Sequence, residues 1–274
     1  MREVLRSAAG YTGRVVSGSA NRVVGKLLER RYGGNTGEYL YLEEIGVEDG
    51  DTRLWHEASD WLGVRRALAR LHPTPDDVFV DYGSGLGRAV LVAAGFPFKR
   101  VIGVEIAARM TARAQENVDR NRERIRAREV ELVTSDAVAW DVPHDLTVAY
   151  FYSPFAEDVF DAVVAKLFAS VDEHPRPLRI VYNYPLEHTR LLRTGRVRLL
   201  EAVNAIWPRR SVRRAEVILT YLALPSDEEL TREYLARFPQ RLNGAQHWLG
   251  EYEPGYVFEK PDRLGGVWLE RPSR

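Results

Sequence analysis

Between residues 81 and 88 the chain reads Asp81-Tyr-Gly83-Ser84-Gly85-Leu-Gly87-Arg88, three glycines at alternate positions behind a carboxylate. Glycine lets the backbone bend where other residues clash, and lets a ligand approach the main chain closely. A bend directly ahead of a helix also turns the first helical N–H groups toward that ligand. Two more acids recur at matching places, Glu105 and the Asp136 of Thr134-Ser135-Asp136-Ala137. A carboxylate in the position of Glu105, with Ile106 beside it, can accept hydrogen bonds from both hydroxyls of a ribose. Asp136, or the backbone of Ser135 and Ala137, can meet the amino group of a purine. The chemistry these residues offer is recognition of a nucleoside.

The elements that must position them are legible in the hydropathy pattern. Short β-rich runs at 78–81, 101–105, 130–133, 146–152 and 178–184 alternate with helical stretches at 89–94, 106–128 and 155–171. Strand alternating with helix predicts a parallel, doubly wound sheet. Each of the three acids then falls at the carboxyl end of a successive strand, where open α/β sheets bind their ligands. Two longer β-like runs, 196–206 and 214–224, are separated by only seven residues, too few for a crossover helix, so they should pair antiparallel. The expected fold is α/β: a mostly parallel seven-stranded sheet ending in an antiparallel hairpin.

Outside this region, 21–31 and 60–71 have amphipathic helical spacing. Ser226-Asp-Glu-Glu229 has the form of a capping box that starts a helix running to about Arg237. Trp248, Tyr252, Tyr256, Phe258 and Trp268 make the tail rich in aromatics, and it is expected to pack on the core. The organisation read from this is an N-terminal helical or lid segment (1–59), a binding core (60–224) and a C-terminal extension (225–274).

Composition narrows the function. Hydrophobic residues make up 45% of 274, enough for a proper core, and the formal net charge is zero. A dedicated nucleic-acid binder usually carries a basic surplus, so a small-molecule or peptide substrate is the expected partner rather than a polyanion. The arginine cluster Arg209, Arg210, Arg213 and Arg214 reads as a solvated hairpin tip. There is no cysteine, which excludes disulfides and thiolate chemistry and fits a reducing, cytoplasmic compartment. The six histidines show no zinc-ligand spacing, and no apolar run is long enough for a membrane helix.

From about Trp55 to Phe155 the chain resembles a bacterial branch of the class I methyltransferases. The shared motifs are the loop Asp81 to Arg88, the run Pro97-Phe-Lys-Arg-Val-Ile-Gly-Val-Glu105, and Tyr152-Ser153-Pro154-Phe155 after a strand. The loop is also similar to that of the non-SET lysine methyltransferases. The resemblance implies S-adenosyl-L-methionine as cofactor, held by Asp81, Gly83, Ser84, Gly85, Gly87, Glu105, Ile106, Ser135, Asp136 and Ala137. It further implies that Trp55, His56 and Ser59 lie over the methionine carboxylate. Methyl transfer to an oxygen or nitrogen is the implied activity, without a metal, since the places where catechol-type enzymes carry acids read Tyr-Ser-Pro-Phe and Tyr182-Asn183-Tyr184. Tyr152, Ser153 and Tyr184 are the expected acceptor-side residues, with His188 as a candidate base. Ser153 departs from the pattern: relatives that methylate amines commonly carry asparagine there, with a paired donor and acceptor that a hydroxyl lacks. A lysine-type protein methyltransferase and a non-catalytic binding protein are the alternatives. A nicotinamide-dependent oxidoreductase is disfavoured because Arg88 occupies the slot of the third glycine of G-x-G-x-x-G.

Overall fold

The computed structural model describes residues 23–32, 36, 58–155, 157–204 and 217–242. Helix α1 (23–32) and α2 (Trp61–Leu71) precede a sheet of seven strands: β1 (Val78–Tyr82), β2 (Arg100–Glu105), β3 (Glu129–Thr134), β4 (Val148–Tyr152), β5 (Leu178–Asn183), β6 (Val197–Asn204) and β7 (Val217–Ala223). Between them lie α3 (Arg88–Ala94), α4 (Ala108–Arg120), α5 (Glu157–Glu173) and α6 (His188–Arg193), and α7 (Glu228–Arg237) follows.

The strand order is β3-β2-β1-β4-β5-β7-β6. The first five strands run parallel, while β7 pairs antiparallel with both β5 and β6. This is the doubly wound sheet with a terminal antiparallel hairpin that the sequence predicts. The reversal of strand order lies between β1 and β4, so the crevice of the sheet opens at their carboxyl ends.

Side-chain alternation divides the core into two layers. Val78, Val80, Tyr82, Ile102, Val104, Phe151, Ile180 and Tyr182 face α5, whose Phe160, Val163, Val164 and Leu167 cover them. Phe79, Val101, Val148, Tyr150 and Val181 face the other way, under α2 and α3. The residues of β1 and β7 are all buried, as strands covered on both faces must be. Edge strand β3 instead alternates partly exposed and exposed residues.

Local departures from the predicted elements have local causes. The stretch 106–128 is one helix that breaks at Asn121 into a single 3-10 turn, Arg122–Arg124. The side chain of Asn121 leaves the helical ladder to donate to the carbonyls of Asn117 and Tyr32. Helix α7 is capped by Asp227 rather than Ser226, its carboxylate accepting from the amides of Glu229 and Leu230. The amide of Ser226 is occupied by Asp172. Helix α6 was not foreseen; its six residues are too few to show a period.

Gly103, in the middle of β2, is a close-packing site. A Cβ there would lie 2.7 Å from Leu132, 2.9 Å from the Ser84 hydroxyl and 2.9 Å from Val90. Its absence lets the glycine-rich bend and α3 settle on the sheet. Gly103→Ala is expected to destabilise the fold by about 1–3 kcal/mol through overpacking, read as a lower midpoint in urea with unchanged slope.

Candidate cofactor and acceptor site

β1 delivers Asp81 to the carboxyl edge, and the chain then bends through Gly83, Gly85 and Gly87, all with positive φ, before α3 starts. The bend ties itself to the neighbouring strand: the amides of Gly83 and Ser84 both donate to the Val104 carbonyl, at 2.9 and 3.0 Å, and that of Gly87 to Ser84. These amides are spent internally, so the bend serves a ligand by its lack of side chains more than by its donors. A Cβ on Gly83 would lie 2.4 Å from that of Pro154, so the bend and the segment after β4 are in direct contact. From behind, Asn117 of α4 donates to the Leu86 carbonyl at 3.0 Å.

Glu105 ends β2 and is almost wholly buried. Its Oε2 accepts from the Gly85 amide at 2.9 Å and its Oε1 from the Ala107 amide at 3.0 Å. Burial raises its pKa, opposed by these backbone donors. Each carboxylate oxygen carries two lone pairs, so one on each is left for a hydroxyl donor.

Asp81 differs. It is 3% exposed, and no donor among the described residues reaches it. Burial, reinforced by the nearby Glu105 charge, pushes its pKa up to about 8. A cation placed beside this carboxyl would favour its ionised form.

Beside Asp81 lies a buried polar chain. Tyr150, its register partner on β4, bonds the Ser59 hydroxyl at 2.9 Å and accepts from the Asn183 side chain at 3.0 Å. Sequence reading placed Ser59 at the site but missed Tyr150 and Asn183, which look like ordinary members of two apolar strands. Their partners are more than 30 residues away, and no local pattern reveals them.

On the acceptor side, Tyr152 ends β4, Ser153 follows it, and Tyr184 follows β5. Ser153 and Tyr184 both adopt left-handed backbone (φ 38 and 53), and the Ser153 hydroxyl donates to the Tyr184 carbonyl. The Tyr152 and Tyr184 rings meet edge to face at 6.5 Å. Left-handed backbone at non-glycine residues is costly and concentrates at functional sites.

Other predicted residues stand elsewhere. The Ser84 hydroxyl is turned under the bend, toward Gly103, without a hydrogen bond. Asp136 caps a turn, its carboxylate accepting from Val138 at 2.8 Å, with Ser135 tied to the Glu105 carbonyl and Ala137 packed against the core. Ile106 is partly exposed directly after Glu105. His188 corrects an expectation: it is fully buried on α6, its Nδ1 2.6 Å from the Tyr221 hydroxyl of β7. Burial lowers its pKa to about 4, so it is a neutral core residue and not a base in the crevice. Trp55, His56, the arginines 209–214 and the aromatic tail lie outside the described residues.

Residues 63–140 match the family model of DOT1, the histone methylation protein. That segment is well under half the chain, but it contains the glycine bend, Glu105 and Asp136. No curated protein matches the sequence. Among solved structures, the chain is similar to a TehB-like SAM-dependent methyltransferase from Corynebacterium glutamicum, with 14% identity over 59% of this chain and 87% of that one and a TM-score of 0.44. It is also similar to the glycopeptide N-methyltransferase MtfA, at 13% identity, 61% and 95% coverage and TM-score 0.45. A third is the magnesium protoporphyrin IX methyltransferase of Synechocystis, at 14% identity, 60% and 79% coverage and TM-score 0.44. Among the described residues no helix is long and apolar enough to cross a membrane.

Proposed function

We propose that this protein is an S-adenosylmethionine-dependent methyltransferase acting on an oxygen or nitrogen of a small metabolite or peptide. The observation that carries the reading is the pair of buried carboxyls flanking a side-chain-free bend at the switch point. Among the described residues, one is bonded to backbone amides alone and keeps lone pairs for a diol; the other has no donor there and sits where a cation would be matched. S-adenosylmethionine carries both complements, a ribose diol and an α-ammonium, and these residues fit it. Dinucleotides share the diol but carry no ammonium group to match Asp81.

When bound, this cofactor supplies an activated methyl group together with its own leaving group. What remains for the protein is placement, and good placement removes up to about 7–11 kcal/mol of barrier. Asp81 and Glu105 hold the two ends of the ligand. The contact of Gly83 with Pro154 sets the distance from bend to acceptor segment. Ser153 spends its proton on the Tyr184 carbonyl, which leaves its oxygen to accept from a substrate O–H or N–H. The Tyr152–Tyr184 pair supplies an aromatic wall for the acceptor. A protein substrate of the lysine type is the second reading, favoured by the DOT1 match.

Titration calorimetry with S-adenosylmethionine and with NAD tests the assignment. Heat with the first and none with the second is the expected outcome; binding of NAD alone would overturn it.

A further inference from the structure

Arg88 follows the glycine bend and opens α3, yet its guanidinium is committed to the chain that precedes the core. Nε donates to the Thr36 hydroxyl at 2.9 Å, Nη1 to the Ser59 carbonyl at 2.9 Å and Nη2 to Oε2 of Glu29 at 2.7 Å. The same Glu29 oxygen accepts from Trp61 Nε1 at 2.9 Å, and its other oxygen accepts from the amide and hydroxyl of Thr36, both at 2.7 Å. Arg88 also lies over the Trp61 ring at 5.0 Å, and that ring stacks on Tyr32 at 4.6 Å.

Helix α1 depends on this hub. None of its residues is fully buried, Val23 and Leu27 are more than half exposed, and half-buried Leu28 and Tyr32 are its apolar contacts with the core, so the polar hub adds to a small apolar seat. The Arg88 side chain is only 14% exposed and that of Glu29 26%, so removing either leaves a poorly hydrated charge unpaired. Thr36 and Ser59, on either side of residues 37–57, are brought to one side chain. From Ser59 the bonding continues to Tyr150, the register partner of Asp81. It does not extend to Glu105, whose bonds go to Gly85 and Ala107.

Building on the cofactor reading above, we propose that Arg88 is a positioning residue for the methionine half of S-adenosylmethionine. It holds residues 58–60 and α1 against the start of α3, and so fixes the wall of the crevice beside Asp81 without touching the ligand. The nucleoside half, gripped at Glu105, is outside its reach.

The test compares affinities for S-adenosylmethionine and for adenosine, which lacks the methionine portion, in the wild type and in R88M, R88K and E29Q. R88M and E29Q should weaken S-adenosylmethionine binding roughly tenfold, because residues 58–60 are then no longer held in place beforehand and binding must order them. They should leave adenosine binding within about twofold. R88K should recover part of the loss, because lysine restores the charge opposite Glu29 but not the three-way fork. Equal loss of both ligands, or no loss in folded variants, would overturn the proposal. Should R88M not fold, E29Q decides the matter, since Glu29 sits on α1 outside the sheet. A wild type that binds neither ligand would instead overturn the cofactor assignment beneath it.

Discussion

Glu105→Ala is expected to weaken S-adenosylmethionine binding about a hundredfold. Two ribose hydroxyls lose a charged acceptor, and hydrogen bonds to charged groups contribute about 1.5–3 kcal/mol each. A net loss near 3 kcal/mol corresponds to about two decades in Kd. The substitution also frees the amides of Gly85 and Ala107, which loosens the bend that Glu105 ties down. Glu105→Gln keeps the size and one acceptor, and should fall between the two. Calorimetric Kd values on variants shown to be folded by circular dichroism check this; unchanged affinity in Glu105→Ala would remove Glu105 from the site.

The second large effect is a pH dependence set by Asp81. Its pKa in the free protein is about 8, so the carboxyl is mostly protonated at neutral pH. An ammonium group binds the ionised form, so binding must expel the proton. Below pH 8 affinity should therefore rise with pH, by up to tenfold per unit. Above that, the ligand's own α-ammonium deprotonates, near pH 7.7–8.0 for a typical α-amine, and affinity should fall again. At pH 7, calorimetry in buffers of different ionisation enthalpy should show close to one proton released per ligand bound.

The sign for stability runs the other way. The folded-state pKa is raised above the unfolded value of about 4, so the native state holds an extra proton between about pH 4 and 8. Asp81 then contributes a loss of stability as pH rises through that range. Asp81→Asn should remove this loss, flatten the pH profile of binding and lower affinity for S-adenosylmethionine. A wild-type affinity that does not vary between pH 6 and 8 would show that Asp81 does not meet the ammonium.

The sheet and its order of elements were legible because each strand is short, apolar and bounded by a turn, and because the seven residues between the last two β-rich runs exclude a crossover. The residues proposed to hold the cofactor could be placed for a related reason: Asp81, Glu105 and the three glycines lie at element ends, where chain position determines spatial position. Buried polar pairs are different. Tyr150 with Ser59, and Arg88 with Glu29 and Thr36, join residues 52 to 91 positions apart. Spacing in the sequence carries no trace of such pairs. His188 was misjudged for want of one fact, that α6 turns it inward onto β7. A histidine just beyond a strand end looks the same in sequence whether it faces the crevice or the core. The place of the Ser84 hydroxyl is equally unreadable from the sequence, because Gly103 opens a space beneath the bend that it fills.

The central claim is that a sulfonium nucleoside spans the carboxyl ends of β1 and β2, from Asp81 to Glu105. A crystal structure with S-adenosylhomocysteine, which keeps both the diol and the ammonium, tests it directly. The account predicts the ribose hydroxyls on Glu105 and the amino group at Asp81, with Gly83 and Gly85 against the ligand. A ligand bound elsewhere, or one that reaches neither Asp81 nor Glu105, would contradict the account.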